Sequence, residues 1–317
     1  MLSRVADSLY WMGRYLERAE NIARLLLVTE DFSTETQGLA EDLAQDAWKD
    51  LLAIFPAAQI TRAASPFTPL AVPYLHGFFL DAANPYSIHF SVNRARENAR
   101  SVREALTLEV FLAINEAYHA LETYESRGLV DLPAFRDALT AAQKLLFTIL
   151  GAIDSTFPRD ETWRFFKLGE AVERLYRSAI VLRVKLPALL AAEPRTDLPL
   201  YYTQWRTLLR ALSSLENYRR VYGARLEPPL VIAFLFFDAS APRSLRYGAA
   251  ALKECLEAIA GPGALTPPAR RVGRLYADLY YDQPELMGRT DYAELLDRVS
   301  TELSKLHDAL DVLYFVT

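Results

Sequence analysis

The sequence holds one cysteine, four histidines and twelve glycines in 317 residues, and it has no long apolar run. Cys255 alone cannot close an internal disulfide, and without a Cys-x-x-Cys pair a thiol zinc ribbon or dithiol redox motif is excluded. The longest unbroken apolar stretch, 230–237, falls far short of the roughly 20 residues a membrane-spanning helix requires. There is no Gly-x-x-x-x-Gly-Lys-Ser/Thr loop and no Gly-x-Ser-x-Gly elbow, which excludes P-loop nucleotide binding and that class of serine hydrolase. Lysine is scarce as well, with six Lys among 35 basic residues, and the net charge of −5 argues against bulk electrostatic binding to nucleic acid or an anionic membrane. The N-terminus runs directly into an amphipathic pattern with no secretory apolar core, so with its lone thiol the chain is expected in the cytoplasm.

Histidine scarcity bears on metals. Glu116-Ala-Tyr-His119 has the Glu-x-x-His spacing that puts two ligands on one helix face in di-iron bundles, but such sites need a second copy. The corresponding stretch further on reads Leu275-Tyr-Ala-Asp278. No metal centre and no cofactor are therefore expected, and Cys255, placed mid-helix on an inner face, reads as an inert buried thiol.

What the sequence has in quantity is helical periodicity. Half of it is hydrophobic (51%) and a quarter charged (24%), enough apolar material for one or two cores. Val5, Leu9, Met12, Leu16, Ala19, Ala23 and Leu26 alternate spacings of four and three, a seam for one helical partner. Phe165, Leu168, Val172, Leu175, Ala179 and Leu182 repeat that seam. Similar patterns predict helices near 39–55, 87–104, 107–126, 132–156, 200–222, 243–260, 268–282 and 291–315, with short apolar helices near 70–80 and 229–237. No stretch alternates with period two between hairpin turns, and Gly and Pro cluster at joints such as Ser65-Pro66, Pro228-Pro229 and Gly261-Pro262-Gly263.

Sliding the chain against itself by 156 to 159 positions brings unlike residues into register. Gly13, Glu17 and Arg18 fall on Gly169, Glu173 and Arg174, and Trp48, Leu51 and Leu52 fall on Trp205, Leu208 and Leu209. Phe79, Asp81, Pro85 and Ser87 fall on Phe236, Asp238, Pro242 and Ser244. The expected fold is all-α: a tandem-duplicated helical bundle of about six helices per copy, pseudo-two-fold, with copies at 1–157 and 158–317. The copies form either two domains or one integrated bundle.

Two groups of residues could carry function. Glu17 lies about 130° from the centre of its seam, and Glu173 lies at the same angle on its own helix. Successive helical residues point about 100° apart, so Glu17 and Arg18, like Glu173 and Arg174, must each find partners elsewhere. They act either as bridges that fix helix packing or as the frame of a polar ligand cavity. The second group is Arg96, Glu97, Asn98, Arg100 and Arg103 on one densely polar helix. Arg96, Arg100 and Arg103 share a face at i, i+4 and i+7, suited to carboxylate or phosphate, unless that face is simply solvated and paired with nearby acids. The aligned segment around Cys255 has lost this charge.

Leu2-Ser-Arg-Val-Ala-Asp-Ser-Leu-Tyr-Trp-Met-Gly-Arg-Tyr-Leu-Glu-Arg-Ala-Glu-Asn resembles the opening of the bacterial alpha-E family, a helical domain with a Glu-Arg motif. Asn84-Pro-Tyr-Ser-Ile, Ala95-Arg-Glu-Asn-Ala-Arg, Gly169-Glu-Ala-Val-Glu-Arg and Asp238-Ala-Ser-Ala-Pro-Arg-Ser are similar to its other landmarks, and His89 and Phe90 depart from it. The resemblance implies genetic association or fusion with a circularly permuted ATP-grasp ligase and a transglutaminase-like protein, and a role in amide ligation of small peptides. The leading expectation is an accessory or interaction subunit of such a system, binding an anionic peptide, metabolite or partner surface. Any ligase chemistry would then reside in the partner. The rivals are an enzyme using Glu17 or Glu173 as general base, and a purely structural helical adaptor.

Overall fold

A computed structural model describes residues 2–56, 71–129, 131–192, 198–261, 263–281 and 289–315; the joint at Ser65-Pro66 and Pro262 lie outside the described residues. The described residues form α1 (Ser3–Thr36), α2 (Glu41–Ile54), α3 (Ala71–Phe79), α4 (Ile88–Ser101), α5 (Leu108–Arg127), α6 (Leu132–Thr156) and α7 (Glu161–Ala191). After these come α8 (Leu198–Ala211), α9 (Leu215–Tyr222), α10 (Pro228–Phe237), α11 (Leu245–Ala260), α12 (Pro267–Tyr281) and α13 (Arg289–Leu310). A 3-10 turn, Arg103–Ala105, joins α4 to α5, and a π-helical turn, Asp311–Phe315, follows α13. The architecture is all-helical, with no strand among the described residues. The apolar run 230–237 is helical as its composition predicts, entered through prolines at the first positions of α10, where a missing N–H costs nothing. The chain divides into two compact units, 1–170 and 171–317, the division falling within α7.

In the first unit α1 is the axis, in contact with α2, α3, α4 and α6. Every residue from 16 to 26 is buried, so the seam read from the sequence is only one side of a helix enclosed all round. Alanines 95 and 99 of α4 are fully buried, and their small side chains let α4 lie close along α1. Trp48 of α2, Phe78 and Phe79 of α3 and Ile149 of α6 complete the core. Local signals set the ends: Ser87 accepts the Phe90 N–H at the start of α4, and Asp131 accepts the Ala134 N–H at the start of α6. The first residues of α7 also belong to this unit, and they meet α1 through two glycines. A Cβ at Gly13 would run into the Phe166 carbonyl oxygen, and one at Gly169 into the Tyr10 carbonyl oxygen. The contact is reciprocal, since Tyr10 and Phe166 each precede a glycine by three residues.

In the second unit α11 and α12 pack together, with α10 against α11 and α13 against α12. Trp205, Phe234, Phe236, Leu252, Leu279 and Val299 are buried. Ser244 caps α11 by accepting the Tyr247 N–H, and Gly248 admits the Leu175 side chain of α7 at 3.0 Å from where its Cβ would stand. Cys255 is half-buried, more accessible than its expected inner-face position.

One predicted helix is two. The pattern at 200–222 reads as continuous, but α8 stops at Ala211 and α9 starts at Leu215. The Ser214 N–H returns to the Leu209 carbonyl at 2.8 Å and the Ser213 N–H to the Arg210 carbonyl at 3.0 Å, which is the hydrogen-bond pair of a Schellman stop. The left-handed residue of that stop is Ser213, at φ 48, where a glycine would have announced the break. Ser213→Gly is expected to raise stability by about 1 kcal/mol, because a Cβ in the left-handed region costs about that much. Urea denaturation with an unchanged m-value measures it, and a loss of stability would mean that the conformation is not strained.

Candidate functional site

Burial of α1 on all sides forces its polar residues to be satisfied inside the core. Glu17, Glu20, Asn21 and Arg24 stand at i, i+3, i+4 and i+7, one stripe of the helix. The Asn21 side-chain amide donates to Glu17 Oε1 at 2.8 Å, with the same nitrogen 2.7 Å from the Glu17 backbone carbonyl. Arg24 Nη1 donates to Glu20 at 2.6 and 2.7 Å, and Arg24 Nη2 to Asn21 Oδ1 at 2.6 Å. Two carboxylates, an amide and a guanidinium thus form one connected ionic network, with Glu17 at 0% and Arg24 at 5% exposure. Arg18 faces elsewhere. Its guanidinium lies 5.2 Å from the Tyr15 ring centroid and 5.7 Å from that of Tyr86.

The second unit repeats part of this arrangement. Glu173 is fully buried and accepts from Arg177 Nε at 2.9 Å, one turn along α7. Arg177 thus occupies the place relative to Glu173 that Asn21 occupies relative to Glu17. Arg174 is half-buried.

The Arg-rich segment differs from its expected form. Helix α4 ends at Ser101, and Val102 leaves helical geometry at φ −125, ψ 32. Arg103 therefore sits in the 3-10 turn and does not continue the face of Arg96 and Arg100. It donates to the Leu106 carbonyl at 3.1 Å and stacks 4.6 Å from the Phe111 centroid, which ties the turn to α5. Arg96 and Arg100 do converge, on a single oxygen: Glu97 Oε1 is 3.5 Å from Arg96 Nη1 and 3.3 Å from Arg100 Nη1. Asn98 is half-buried, and its backbone carbonyl accepts from the Ser101 hydroxyl. Arg100 is mostly exposed, whereas Arg96 is held on three sides, its Nε donating to Asn115 Oδ1 at 2.7 Å and its face 4.4 Å from the Tyr118 centroid. That fixes the plane of the guanidinium at the seam between α4 and α5.

From Tyr118 the polar contacts continue inward. Burial, then the charge of Glu122, push its phenol above the ordinary value against the pull of Arg96. Glu122 Oε1 is 2.7 Å from His89 Nε2, and His89 is buried. The Glu-x-x-His pair weighed in the sequence has no such setting, since Glu116 and His119 are both exposed on α5.

Sequence reasoning singled out Glu17, Arg18, Glu173, Arg174 and the α4 arginines, but missed Asn21, Arg24, Arg177, Asn115, Tyr118 and Glu122. The first three were in reach, because they stand at i+4 or i+7 from the motif glutamates. The others come from α5 and are joined to α4 only by packing. Also missed was a cleft of about 670 Å³ in the second unit, walled by Tyr202 and Arg206 of α8, Tyr218 and Arg219 of α9, and Arg225 of the following loop. The Schellman stop joins the two helices that wall it. Its Arg219 pairs with Glu216 at 2.9 Å and Arg225 with Glu227 at 2.9 Å.

The fold and the buried Glu-Arg helix define a class of all-helical domains organised on an ionic helix at their centre. The chain belongs to the Alpha-E family, described as a predicted alpha-helical domain with a conserved ER motif, whose family model matches residues 1–315. Similar curated proteins are uncharacterised proteins of Mycobacterium bovis, 27% identical over 327 residues, and of Mycobacterium tuberculosis strain H37Rv, 26% identical over 327 residues. Each alignment covers 97% of this chain and 36% of the relative, so the chain spans about a third of the length of the curated relatives it matches. No solved structure matches.

Proposed function

We propose that this chain is an accessory helical module of an ATP-grasp-type amide-ligase system, working in the cytoplasm beside the ligase and a transglutaminase-like protein and binding an anionic peptide, metabolite or partner surface. The observation that carries the accessory role is the span of the relatives. In the mycobacterial proteins the matching segment is 36% of a longer polypeptide, which supports a module that works in concert with other domains. The ligand class follows from α4, where the plane of Arg96 is set by Asn115 and Tyr118 and Arg100 stands exposed one turn on, an arrangement suited to carboxylate.

In this reading the Glu17, Glu20, Asn21 and Arg24 network is structural. It holds the central helix in register so that α4 is presented correctly. The module arose by duplication. The paired caps Ser87 and Ser244, the buried tryptophans Trp48 and Trp205, and the buried glutamates Glu17 and Glu173 at matching positions support two copies of one ancestral unit. The reciprocal glycine crossing of α1 with the start of α7 is the kind of contact a local two-fold produces.

Arg96→Ala and Arg100→Ala are each expected to weaken binding of the purified ligase by more than the ~1 kcal/mol of a surface ion pair, the larger loss at Arg96. Isothermal titration of the ligase with each variant measures this, and unchanged affinity in both would reduce α4 to a solvated face.

A further inference from the structure

We infer that His89, Glu122 and Glu125 form a binding site for one divalent transition-metal ion of the zinc type. Glu122 and Glu125 stand three residues apart on α5 and so share a face. His89 reaches them from the first turn of α4, with its Nε2 2.7 Å from Glu122 Oε1 and its Nδ1 3.3 Å from Glu125 Oε2. One ligand atom from each of the three residues can be chosen so that all lie within 4.8 Å of one another.

The surroundings orient these groups as metal ligands are oriented. His89 is 3% exposed, and its Nδ1 is 3.1 Å from the Leu80 carbonyl at the end of α3. Without an ion, Nε2–H donates to Glu122; when an ion binds, that proton is released and Nδ1–H, donating to the Leu80 carbonyl, gives the backbone-anchored tautomer that ligating histidines adopt. The two carboxylates bring two negative charges to the cluster, which a divalent ion balances. Mixed imidazole and carboxylate donors suit zinc, cobalt or manganese better than calcium, which takes oxygen alone.

The fit requires a small adjustment. Ligands about 2.0–2.1 Å from a tetrahedral ion stand roughly 3.3 Å apart, so the Glu122 carboxylate must withdraw by about 0.6 Å from its 2.7 Å contact with His89. Glu122 and Glu125 are 45% and 46% exposed, near the end of α5, and can make that movement. Their exposure also leaves an outward coordination position for water, as in open zinc sites. This inference is independent of the ligase reading, since it concerns only what the cluster binds.

The test uses the full chain, stripped of metal by chelation and titrated with Co²⁺ for its visible absorption and with Zn²⁺ by calorimetry. One ion per chain is expected, with affinity falling at least tenfold in Glu122→Gln, in Glu125→Gln and in His89→Gln, and unchanged in His119→Gln, which alters an exposed neighbour on α5. The two glutamate variants change half-exposed side chains, so they report on the site even where His89→Gln disturbs folding. Failure to bind one equivalent, or binding that Glu122→Gln and Glu125→Gln leave unchanged, overturns the site and reduces the cluster to a histidine ion pair.

Discussion

Gly13→Ala and Gly169→Ala are each expected to destabilise the protein by about 3 kcal/mol or more. At most helical positions this change is favourable, because alanine is the better helix former by about 1 kcal/mol. Here the added methyl meets backbone. At Gly13 it runs into the Phe166 carbonyl and comes within 3.0 Å of the Glu170 nitrogen, and at Gly169 it runs into the Tyr10 carbonyl. A flexible side chain could swing aside, but a helix backbone moves only by separating α1 from α7, which costs more than ordinary overpacking. Gly151→Ala is the internal control. It lies in α6, and nothing stands within 4 Å of its added Cβ, so it is expected to stabilise by up to about 1 kcal/mol. The same substitution thus takes opposite signs in one protein. The Gly13→Ala, Gly169→Ala double variant is expected to lose less than the sum, because one separation of the helices relieves both clashes. Urea midpoints with constant m-values measure all four variants. Equal small effects at 13, 151 and 169 would sink the close crossing.

The second large effect lies two turns further along α1. Glu20→Ala is expected to cost about 3–5 kcal/mol, because it removes the carboxylate that receives both short contacts from Arg24, whose guanidinium is buried. Replacing both together, Glu20→Leu with Arg24→Met, is expected to recover much of that loss, since an apolar pair of similar volume has no buried charge to satisfy. Thermal denaturation of the two singles and the double closes a mutant cycle. A Glu20→Ala variant as stable as the parent would show that Arg24 does not depend on this partner and that the stripe is not a coupled network.

The helical class was legible because apolar spacing of three and four depends on local sequence alone, and α6 runs over 132–156 as its pattern predicts. Two boundaries were not legible, for different reasons. Ser213 takes the left-handed conformation without being glycine, so the end of α8 carries no compositional mark. At Val102 the helix gives way to a 3-10 turn held by Arg103, which reaches the Leu106 carbonyl and the Phe111 ring, partners that the arginine spacing does not reveal.

The candidate site divides along the same line. Glu17 and Arg18 stand out by repetition at 173 and 174, and the intrahelical partners Asn21 and Arg24 follow from helix geometry once burial is known. Burial on every side of 16–26 is a product of packing, and the α1 seam by itself suggests one partner helix rather than several. His89 and Glu122 are 33 residues apart on different helices, so no local spacing joins them. In the sequence His89 is only a departure from the family pattern, whereas in the fold it lies between two glutamates and a backbone carbonyl.

The proposed role, assisting amide formation rather than catalysing it, is open to direct test. The direct measurement is amide product formed, and ATP consumed, by the purified ATP-grasp ligase proposed as partner with and without this chain, and by this chain alone. Product from the ligase is expected to rise several-fold when the chain is added, with none from the chain by itself. Product unchanged by adding the chain, or product from the chain alone, would contradict it.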